Sequence, residues 1–382
     1  MNDHPVVSWI ESGKTRSALW RSESGVLPPK QVVIADDTLT ADAAYRLACE
    51  GSAMLWRGDF QNARQLLQAL SRRLDRKPRR AARKAPKPEP TITEAFHLHR
   101  QSQAQRARLL GMLLVPLEKD YTIPLRRGAD VQQACREAYG PARQDSVVAL
   151  RELLGVVGAH EWRKKGVEIP VLFGRIHPHY GVFSPVRGEY IALVAEAPLP
   201  PAELAFDIGT GTGVLAAVLV RRGVPRVVAT ELDARALACA RENIKQLGLH
   251  GQVEVQQADL FPEGRAGLIV CNPPWLPARP SSPLEAAVYD PDSRMLRGFL
   301  SGLAEHLEPG GEGWLILSDF AELLGLRTRE ELLAAIDAAG LEVAGKTDVR
   351  PHHPKASDPN DPLHAARAAE VTSLWRLVVR QS

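Results

Sequence analysis

Apolar runs of strand length alternate with helical patterns throughout the second half of the chain, and this alternation is its most restrictive feature. Seven runs are bounded by turn residues: "ELAFDIG", "RVVATELD", "VEVQQADLF", "AGLIVCNPPW", "GEGWLILSD", "LEVAGKTDV" and "SLWRLVVRQ". Amphipathic segments such as "ARALACARENIKQLG" lie between them. Strands that alternate with helices over short connections predict a doubly wound, Rossmann-like α/β sheet. Right-handed crossovers would bring the carboxyl ends of its parallel strands to one edge, where ligands bind.

The first 165 residues show helical spacing instead. "TADAAYRLACEGSAMLWRGDFQNARQLLQALSRRL" has a helical pattern with a boundary near Gly58, and "TITEAFHLHRQSQAQRARLLGMLLVPL" has one that Pro116 closes. We therefore expect a mainly helical N-terminal region ahead of the α/β sheet. The predicted parts are a helical region over 1–75, a basic Pro-rich linker over 76–92, a second helical region over 93–167 and an α/β domain over 168–382.

The composition is that of a globular protein, with 45% hydrophobic and 24% charged residues. No apolar run reaches the roughly 18 residues that a membrane span requires. The first residues lack the basic and apolar regions of a secretory signal. The cysteines form no CxxC pair, which argues against a zinc site and a disulfide framework: they are Cys49, Cys135, Cys239 and Cys271. We expect a cytoplasmic protein with reduced thiols and no membrane partner; the oligomeric state is left open.

One short segment carries most of the positive charge. The net charge of the chain is +3, whereas residues 72–87 contain nine Lys or Arg and one Asp. The rest of the chain is therefore mildly acidic. The segment has few apolar residues that could anchor it to a core, so a solvated linker is one interpretation. An arm that contacts RNA or another polyanion is the other.

A glycine-rich loop, "FDIGTGTGVL", follows the first strand of the predicted sheet and opens a helix. Gly209, Gly211 and Gly213 would let the backbone turn tightly and approach a ligand without a Cβ in the way. The dinucleotide-binding fingerprint is GxGxxG, but the spacing here is GxGxG, and Val214 stands where the third glycine would fall. Asp207 precedes the loop, and a carboxylate there favours a cationic ligand over a pyrophosphate.

Carboxylates also end the second and third strands. Glu231 follows the glycine loop by about 20 residues and is placed to hold ribose hydroxyls, and Asp259 could accept from an adenine amino group. Together with the loop, this pattern resembles the class I S-adenosylmethionine-dependent methyltransferases over roughly residues 180–382. The resemblance implies S-adenosylmethionine as cofactor, held by Asp207, Gly209, Thr210, Gly211, Gly213, Glu231, Asp259 and Asn272.

The fourth strand ends in "NPPW", residues 272–275. In the family, this motif marks enzymes that methylate a nitrogen conjugated to a planar π-system. Asn272 and the carbonyl of Pro273 would each accept one N–H of the acceptor, and Pro274 continues the turn. Trp275 would stack on the planar group. Proline has no N–H of its own to compete as a donor. The resemblance thus makes these four residues the catalytic candidates.

Two subfamilies are similar to this chain. "NPPWLP" resembles the "NPPYxP" of protein glutamine-N5 methyltransferases (HemK-like), which act in translation and carry a separate helical N-terminal domain. "YGVFS" resembles a stretch of the ribosomal RNA guanine-N2 methyltransferases ("methyltransferase small domain"). In those enzymes, the N-terminal half is a degenerate copy of the catalytic fold. We expect a protein glutamine in the translation machinery as acceptor, with an RNA or DNA base (guanine-N2 or adenine-N6) as the alternative.

Other classes are compatible with a glycine loop. A nucleotide-binding module without methyl transfer and an oxidoreductase both remain alternatives, although GxGxG and "NPPW" disfavour the latter. The histidines of the loop 350–370, His352, His353 and His364, have no cysteine nearby. We therefore expect no metal site there, and consider the loop a candidate for contacting the substrate.

Overall fold

A computed structural model describes residues 5–75, 89–186, 188–280, 284–351, 358 and 361–381. The chain divides into two compact units. The first comprises Met1–Glu89 and His97–Glu161, and the second comprises Pro90–Phe96 and Trp162–Ser382. Within the described residues, no helix is both long and apolar enough to cross a membrane.

The first unit is built on a six-stranded mixed sheet. Its strands are β1 (Val6–Glu11), β2 (Lys14–Arg21), β3 (Gln31–Ala35), β4 (Ser52–Trp56), β5 (Leu113–Leu117) and β6 (Ser146–Ala149). They are ordered β1-β2-β6-β5-β4-β3, with β3, β4 and β5 parallel. The helices of this part of the chain are α1 (Ala41–Glu50), α2 (Phe60–Asp75), α3 (Ile92–Leu110), α4 (Gln132–Tyr139) and α5 (Leu150–Lys165).

These helices lie in the region predicted to be mainly helical, but the sheet was not predicted. The assignment of helix to "SAMLW" and "LLVPL" is wrong, since they form β4 and β5. All five residues of β4 are buried, as are all four of β6. A strand buried on both faces is a continuous apolar run without alternation, and such a run cannot be told from a helix by periodicity. Pro116 does not close a helix; it lies within β5.

The second unit contains the predicted seven-stranded sheet. Its strands are β9 (Leu204–Ile208), β10 (Arg226–Glu231), β11 (Val253–Gln257), β12 (Ala266–Cys271), β13 (Leu307–Ser318), β14 (Leu341–Val349) and β15 (Thr372–Val379). They are ordered β11-β10-β9-β12-β13-β15-β14. β9 to β13 are parallel, and β15 runs antiparallel to both of its neighbours. The prediction of a doubly wound sheet is confirmed.

Helices cover both faces of this sheet. They are α6 (Glu189–Glu196), α7 (Val214–Arg221), α8 (Ala234–Gln246), α9 (Arg294–His306), α10 (Phe320–Leu323), α11 (Arg329–Ala338) and α12 (His364–Ala369). A short hairpin, β7 (Val167–Ile169) and β8 (Gly174–Ile176), precedes them. One apolar cluster packs α6 and α7 on the sheet, and another packs α9 and α11 on it. Burial on both faces explains why β12 is apolar throughout.

Three predictions from the sequence lie wholly or partly outside the described residues. The linker over 76–92 and the proposed RNA-contacting arm over 72–87 fall largely on residues 76–88, and His352 and His353 fall in 352–357. The predicted division of the chain into these four regions therefore stays a prediction.

Candidate functional site

Strand register brings the predicted motifs to one edge of the second unit. Ile208, the last residue of β9, pairs with Thr230 on one side and with Cys271 on the other. On the next strand pair, Glu231 is in register with Gln257. The glycine loop and the residues that follow β10, β11 and β12 therefore all leave the sheet at its carboxyl edge, as the doubly wound topology requires.

The glycine loop adopts a conformation that favours glycine. Gly209, Gly211 and Gly213 have φ angles of 69°, 58° and 82°, in the left-handed region that L-residues rarely occupy. A Cβ on Gly209 would lie 2.3 Å from Cε of Met295, whereas one on Gly211 would meet nothing within 4 Å. Gly211 thus marks the open side of the loop, where a ligand can approach the backbone.

Asp207 holds the loop from inside the protein. Its side chain is 1% exposed, and its Oδ2 accepts from the Thr210 hydroxyl at 2.5 Å and from the Ala216 N–H at 2.9 Å. Burial raises the pKa of this carboxyl to about 6, and the two hydrogen bonds oppose that rise. The sequence-based hypothesis placed this carboxylate against a cationic ligand. In the structure this carboxylate bonds to the turn and to the first turn of α7, and its role toward a ligand stays a prediction.

Glu231 connects the loop to the second strand. Its Oε2 accepts from the Gly211 N–H at 3.0 Å, and its Oε1 accepts from the N–H groups of Leu232 and Asp233 at 2.9 and 3.1 Å. The main chain is tied in the same place, because Thr210 N donates to Thr230 O at 2.9 Å. A carboxylate has about four acceptor positions, so Glu231 retains capacity for one further hydroxyl beside Gly211.

Asp259 is the most exposed of the three predicted acids. Its carboxylate pairs with Arg294, the first residue of α9, at 2.6 Å, and both side chains are more than half exposed. A surface pair of this kind contributes little stability. The acid is therefore available to exchange its partner for a ligand group at the same edge.

The "NPPW" segment is held by its own tryptophan. Trp275 Nε1 donates to Asn272 Oδ1 at 3.0 Å, and both side chains are half-buried. The Trp275 ring packs against the apolar clusters on both faces of the sheet. The sequence predicts that this ring stacks on the planar acceptor group. The indole N–H also fixes the direction of the Asn272 amide oxygen, which the sequence does not indicate.

The segment that follows "NPPW" is anchored by main-chain bonds. Leu276 N donates to Val288 O at 3.1 Å, and Asp290 N donates to Leu276 O at 2.8 Å. The buried carboxylate of Asp290 accepts from Met295 N at 2.8 Å, at the start of α9. Burial raises the pKa of Asp290. Since Met295 contacts Gly209 in turn, Asp290 links the "NPPW" strand to the glycine loop.

Sequence reasoning missed Asp290 as a residue of this region. A signal was present, because an Asp shortly before a helical pattern is a typical N-terminal cap. What the sequence could not show is that the helix so capped lies on the glycine loop. Of the remaining candidates, Cys271 is fully buried, and burial raises its pKa well above its usual range, which fits a packing residue.

The described residues contain no group of three or more His, Cys, Asp or Glu side chains arranged to hold a metal ion. The predicted cofactor residues are brought together instead: Asp207 and Glu231 bond to the glycine loop, and Asn272 leaves the adjacent strand. A seven-stranded sheet of this order, with a GxGxG loop after its first strand and "NPPW" after its fourth, resembles the class I methyltransferase domain.

Comparison with known proteins agrees with this class. The family model of the methyltransferase small domain matches residues 174–326. A release factor glutamine methyltransferase of Cereibacter sphaeroides is 32% identical over 170 residues, which are 41% of this chain and 58% of that protein. A ribosomal protein L11 methyltransferase of Pelotomaculum thermopropionicum is 34% identical over 39% of this chain and 41% of that protein.

A third relative acts on RNA by its name. The tRNA1(Val) (adenine(37)-N6)-methyltransferase of Shewanella loihica is 31% identical over 39% of this chain and 66% of that protein. The chain thus spans less than two thirds of the length of these curated relatives. The resemblance to class I S-adenosylmethionine-dependent methyltransferases that the sequence predicted is confirmed for this part of the chain.

Proposed function

We propose that the second unit is an S-adenosylmethionine-dependent N-methyltransferase that acts on a nitrogen conjugated to a planar group. The observation that carries the proposal is the pairing of Cys271 with Ile208. This register sets the "NPPW" segment directly beside the glycine loop, so a methyl donor on the loop and an acceptor on Asn272 would be neighbours.

The residues at the loop fit the proposed cofactor. S-adenosylmethionine would supply a methyl group on a sulfonium, an excellent leaving group. The open side of Gly211 would admit the amino acid end of the cofactor, and Glu231 would bind its ribose beside the Gly211 N–H. Asp259 would meet the adenine after release from Arg294. Asp207 would act indirectly, by keeping the loop in shape.

Asn272 and Pro273 would orient the acceptor. The lone pair of a conjugated nitrogen is delocalised, which makes the nitrogen a poor nucleophile. Hydrogen bonds from its two N–H groups to Asn272 Oδ1 and to the Pro273 carbonyl would direct the lone pair at the methyl carbon. Asn272 and Pro273 would thereby hold the nitrogen for transfer of the methyl group from the sulfonium, with the electrons of the broken S–C bond remaining on sulfur. The methylated nitrogen would then release a proton to solvent. Orientation at short range supplies much of the rate, so no strong base is required.

A tryptophan at the fourth position suits this role in a particular way. Since Trp275 Nε1 occupies one acceptor position of Asn272 Oδ1, the amide cannot turn its NH₂ toward the acceptor without losing a hydrogen bond. One lone pair of the oxygen remains for the acceptor N–H. Trp275 would therefore hold Asn272 in the reactive orientation while its ring borders the acceptor.

We propose a glutamine side chain of a protein in the translation machinery as the acceptor. Two relatives that cover part of this chain are release factor glutamine methyltransferases, and one of them is 36% identical over 161 residues. A reduced cytoplasm, where that machinery works, agrees with the four free cysteines.

An RNA base nitrogen is the second candidate, and the first unit favours it. The sequence argued against a guanine-N2 enzyme because the N-terminal half was expected to be helical. The six-stranded α/β sheet of that half removes the argument, since the guanine-N2 group has an N-terminal α/β copy of the catalytic fold. The adenine-N6 relative also supports RNA.

Tritiated methyl transfer into a lysate of a strain that lacks this protein would test the function. We expect S-adenosylmethionine to label a single protein band in the separated protein fraction. Label in the RNA fraction would instead assign the second candidate. The Asn272→Ala variant should bind S-adenosylmethionine as the wild type does but transfer methyl groups at least 100-fold more slowly. Unchanged transfer would show that Asn272 has no role in the mechanism. A calorimetric titration in which NADH binds and S-adenosylmethionine does not bind would contradict the whole proposal and favour an oxidoreductase.

A further inference from the structure

Arg327 is a buried arginine at the carboxyl edge of the second unit. It lies in the loop between α10 and α11 and is 8% exposed. Its neighbour Leu326 packs in an apolar cluster with Leu276, the residue directly after Trp275. The guanidinium also interacts electrostatically with Asp290, so it lies in the region that follows "NPPW".

The side-on fork of this guanidinium, formed by Nε and Nη2, is shielded from solvent. Among the described residues, neither nitrogen has a hydrogen-bond acceptor. These two N–H groups lie side by side, in the arrangement that binds two oxygens of one carboxylate or phosphate. Burial lowers the pKa of Arg327.

The acidic residues near Arg327 are already engaged. Glu322 accepts from Arg329 at 2.9 Å, and Glu331 accepts from the Thr328 N–H at 2.8 Å in the capping box of α11. The Asp290 carboxylate caps α9. Their charges favour the protonated guanidinium without supplying it with a hydrogen bond.

A buried cation with two unsatisfied N–H groups is unfavourable in the free protein. Replacing such a group by an apolar side chain of similar volume is commonly neutral or stabilising. A residue that weakens the free state is expected where the missing interaction comes from a ligand, as at many functional sites. None of the described acids around Arg327 supplies that interaction, and the fork suits a carboxylate or phosphate from outside the chain.

We propose that Arg327 binds a carboxylate of the acceptor molecule, through two parallel hydrogen bonds from Nε and Nη2. The site would recognise an acidic side chain close to the modified nitrogen. A singly charged carboxylate fits better than a phosphate because Glu322, Glu331 and Asp290 would repel a doubly charged group. A carboxylate at the tip of a side chain can also enter a buried position, whereas a phosphodiester carries a substituent on both sides.

The assignment of the carboxylate to the methyl-acceptor molecule rests on the proposed function. The binding of a carboxylate by Arg327 can be measured without methyl transfer. Thermal unfolding of the full chain therefore provides the test, with sodium acetate or sodium phosphate replacing sodium chloride at constant ionic strength and pH 7. We compare the wild type with Arg327→Met, and with Arg297→Met as a matched change at an exposed arginine of α9.

We expect acetate at several times its dissociation constant to raise the unfolding midpoint of the wild type and of Arg297→Met by about 2–4 °C. The Arg327→Met midpoint should equal or exceed that of the wild type in chloride and should not respond to acetate. Three results would each overturn the assignment: an equal acetate response in Arg327→Met, an Arg327→Met midpoint well below the wild type, or a phosphate response that exceeds the acetate response when each is measured as the difference between the wild type and Arg327→Met. Taking the difference removes the stabilisation that phosphate gives by exclusion from the protein surface. The third result would assign the fork to a phosphate, as of an RNA. If the predicted pattern appears but no fraction of the lysate is methylated, the site stands and the proposed function fails.

Discussion

Replacing Trp275 by Phe would keep an aromatic ring beside the proposed acceptor but remove the indole N–H that donates to Asn272 Oδ1 at 3.0 Å. If the tryptophan serves only to stack, the change should matter little. If it also holds the amide, the Asn272 oxygen should lose its fixed direction, and fewer bound acceptors should be oriented for attack.

The size of the effect follows from the strength of that hydrogen bond. A neutral hydrogen bond contributes about 0.5–1.5 kcal/mol net. Since about 1.4 kcal/mol corresponds to a factor of ten in rate, its loss should lower kcat by about 2- to 12-fold. KM should change by less than about 2-fold, because the ring that contacts the acceptor remains.

A second substitution separates orientation from other effects. In Asn272→Asp, both side-chain oxygens can accept a hydrogen bond, so an accepting oxygen faces the substrate nitrogen in either orientation of the carboxylate. We expect Trp275→Phe to have a much smaller effect on kcat in the Asn272→Asp background than in the wild type. A double-mutant cycle of initial rates with tritiated S-adenosylmethionine measures this coupling.

Trp9→Phe is the matched control, since it also removes an indole N–H, donated to Glu11 at 2.9 Å in the first unit. It should leave kcat unchanged. An equal loss of kcat in Trp9→Phe, or an undiminished effect of Trp275→Phe beside Asn272→Asp, would refute the reasoning.

Further predictions concern the loop and the basic segment. The pKa of Asp207 is about 6 in the folded protein against the ordinary 3.8, so the folded state favours the protonated carboxyl. The stability that this carboxyl contributes is therefore present below pH 3.8 and is lost as the pH rises through 6. The free energy of unfolding in urea should fall between pH 4 and pH 7.5 by up to about 3 kcal/mol more in the wild type than in Asp207→Asn. A difference between the two proteins that is the same at both pH values would contradict this. Gly209→Ala should lower the free energy of unfolding by roughly 1 kcal/mol more than Gly248→Ala does in the same assay. Both glycines have φ near 70°, but only Gly209 faces Met295. Equal losses would show that the Met295 contact is unimportant. If RNA is the acceptor, deleting 76–87 should weaken RNA binding and flatten its salt dependence; an unchanged salt slope would leave a plain linker.

The sheet of the second unit could be predicted from the sequence because glycine, proline or acidic residues flank most of its strands and helices separate most of them. β11 and β12, which a loop joins, are still marked by the turn residues between them. The sheet of the first unit could not be predicted. β4 and β5 are short apolar runs next to helices, and their strand character depends on the neighbours that bury both faces.

The site shows the same division. The sequence by itself determined which residues lie at the strand ends, because the loop glycines, Glu231 and Asn272 follow from spacing along the chain. Only the tertiary structure decided what those side chains contact. The buried Asp207 carboxylate accepts a hydrogen bond from Thr210, and the Trp275 indole donates one to Asn272. Arg327, which no motif marks, is buried, and its Nε and Nη2 have no hydrogen-bond partner among the described residues. Spacing fixes the order of residues along a strand, whereas burial and hydrogen bonding depend on segments that are distant in the chain and meet only in the fold.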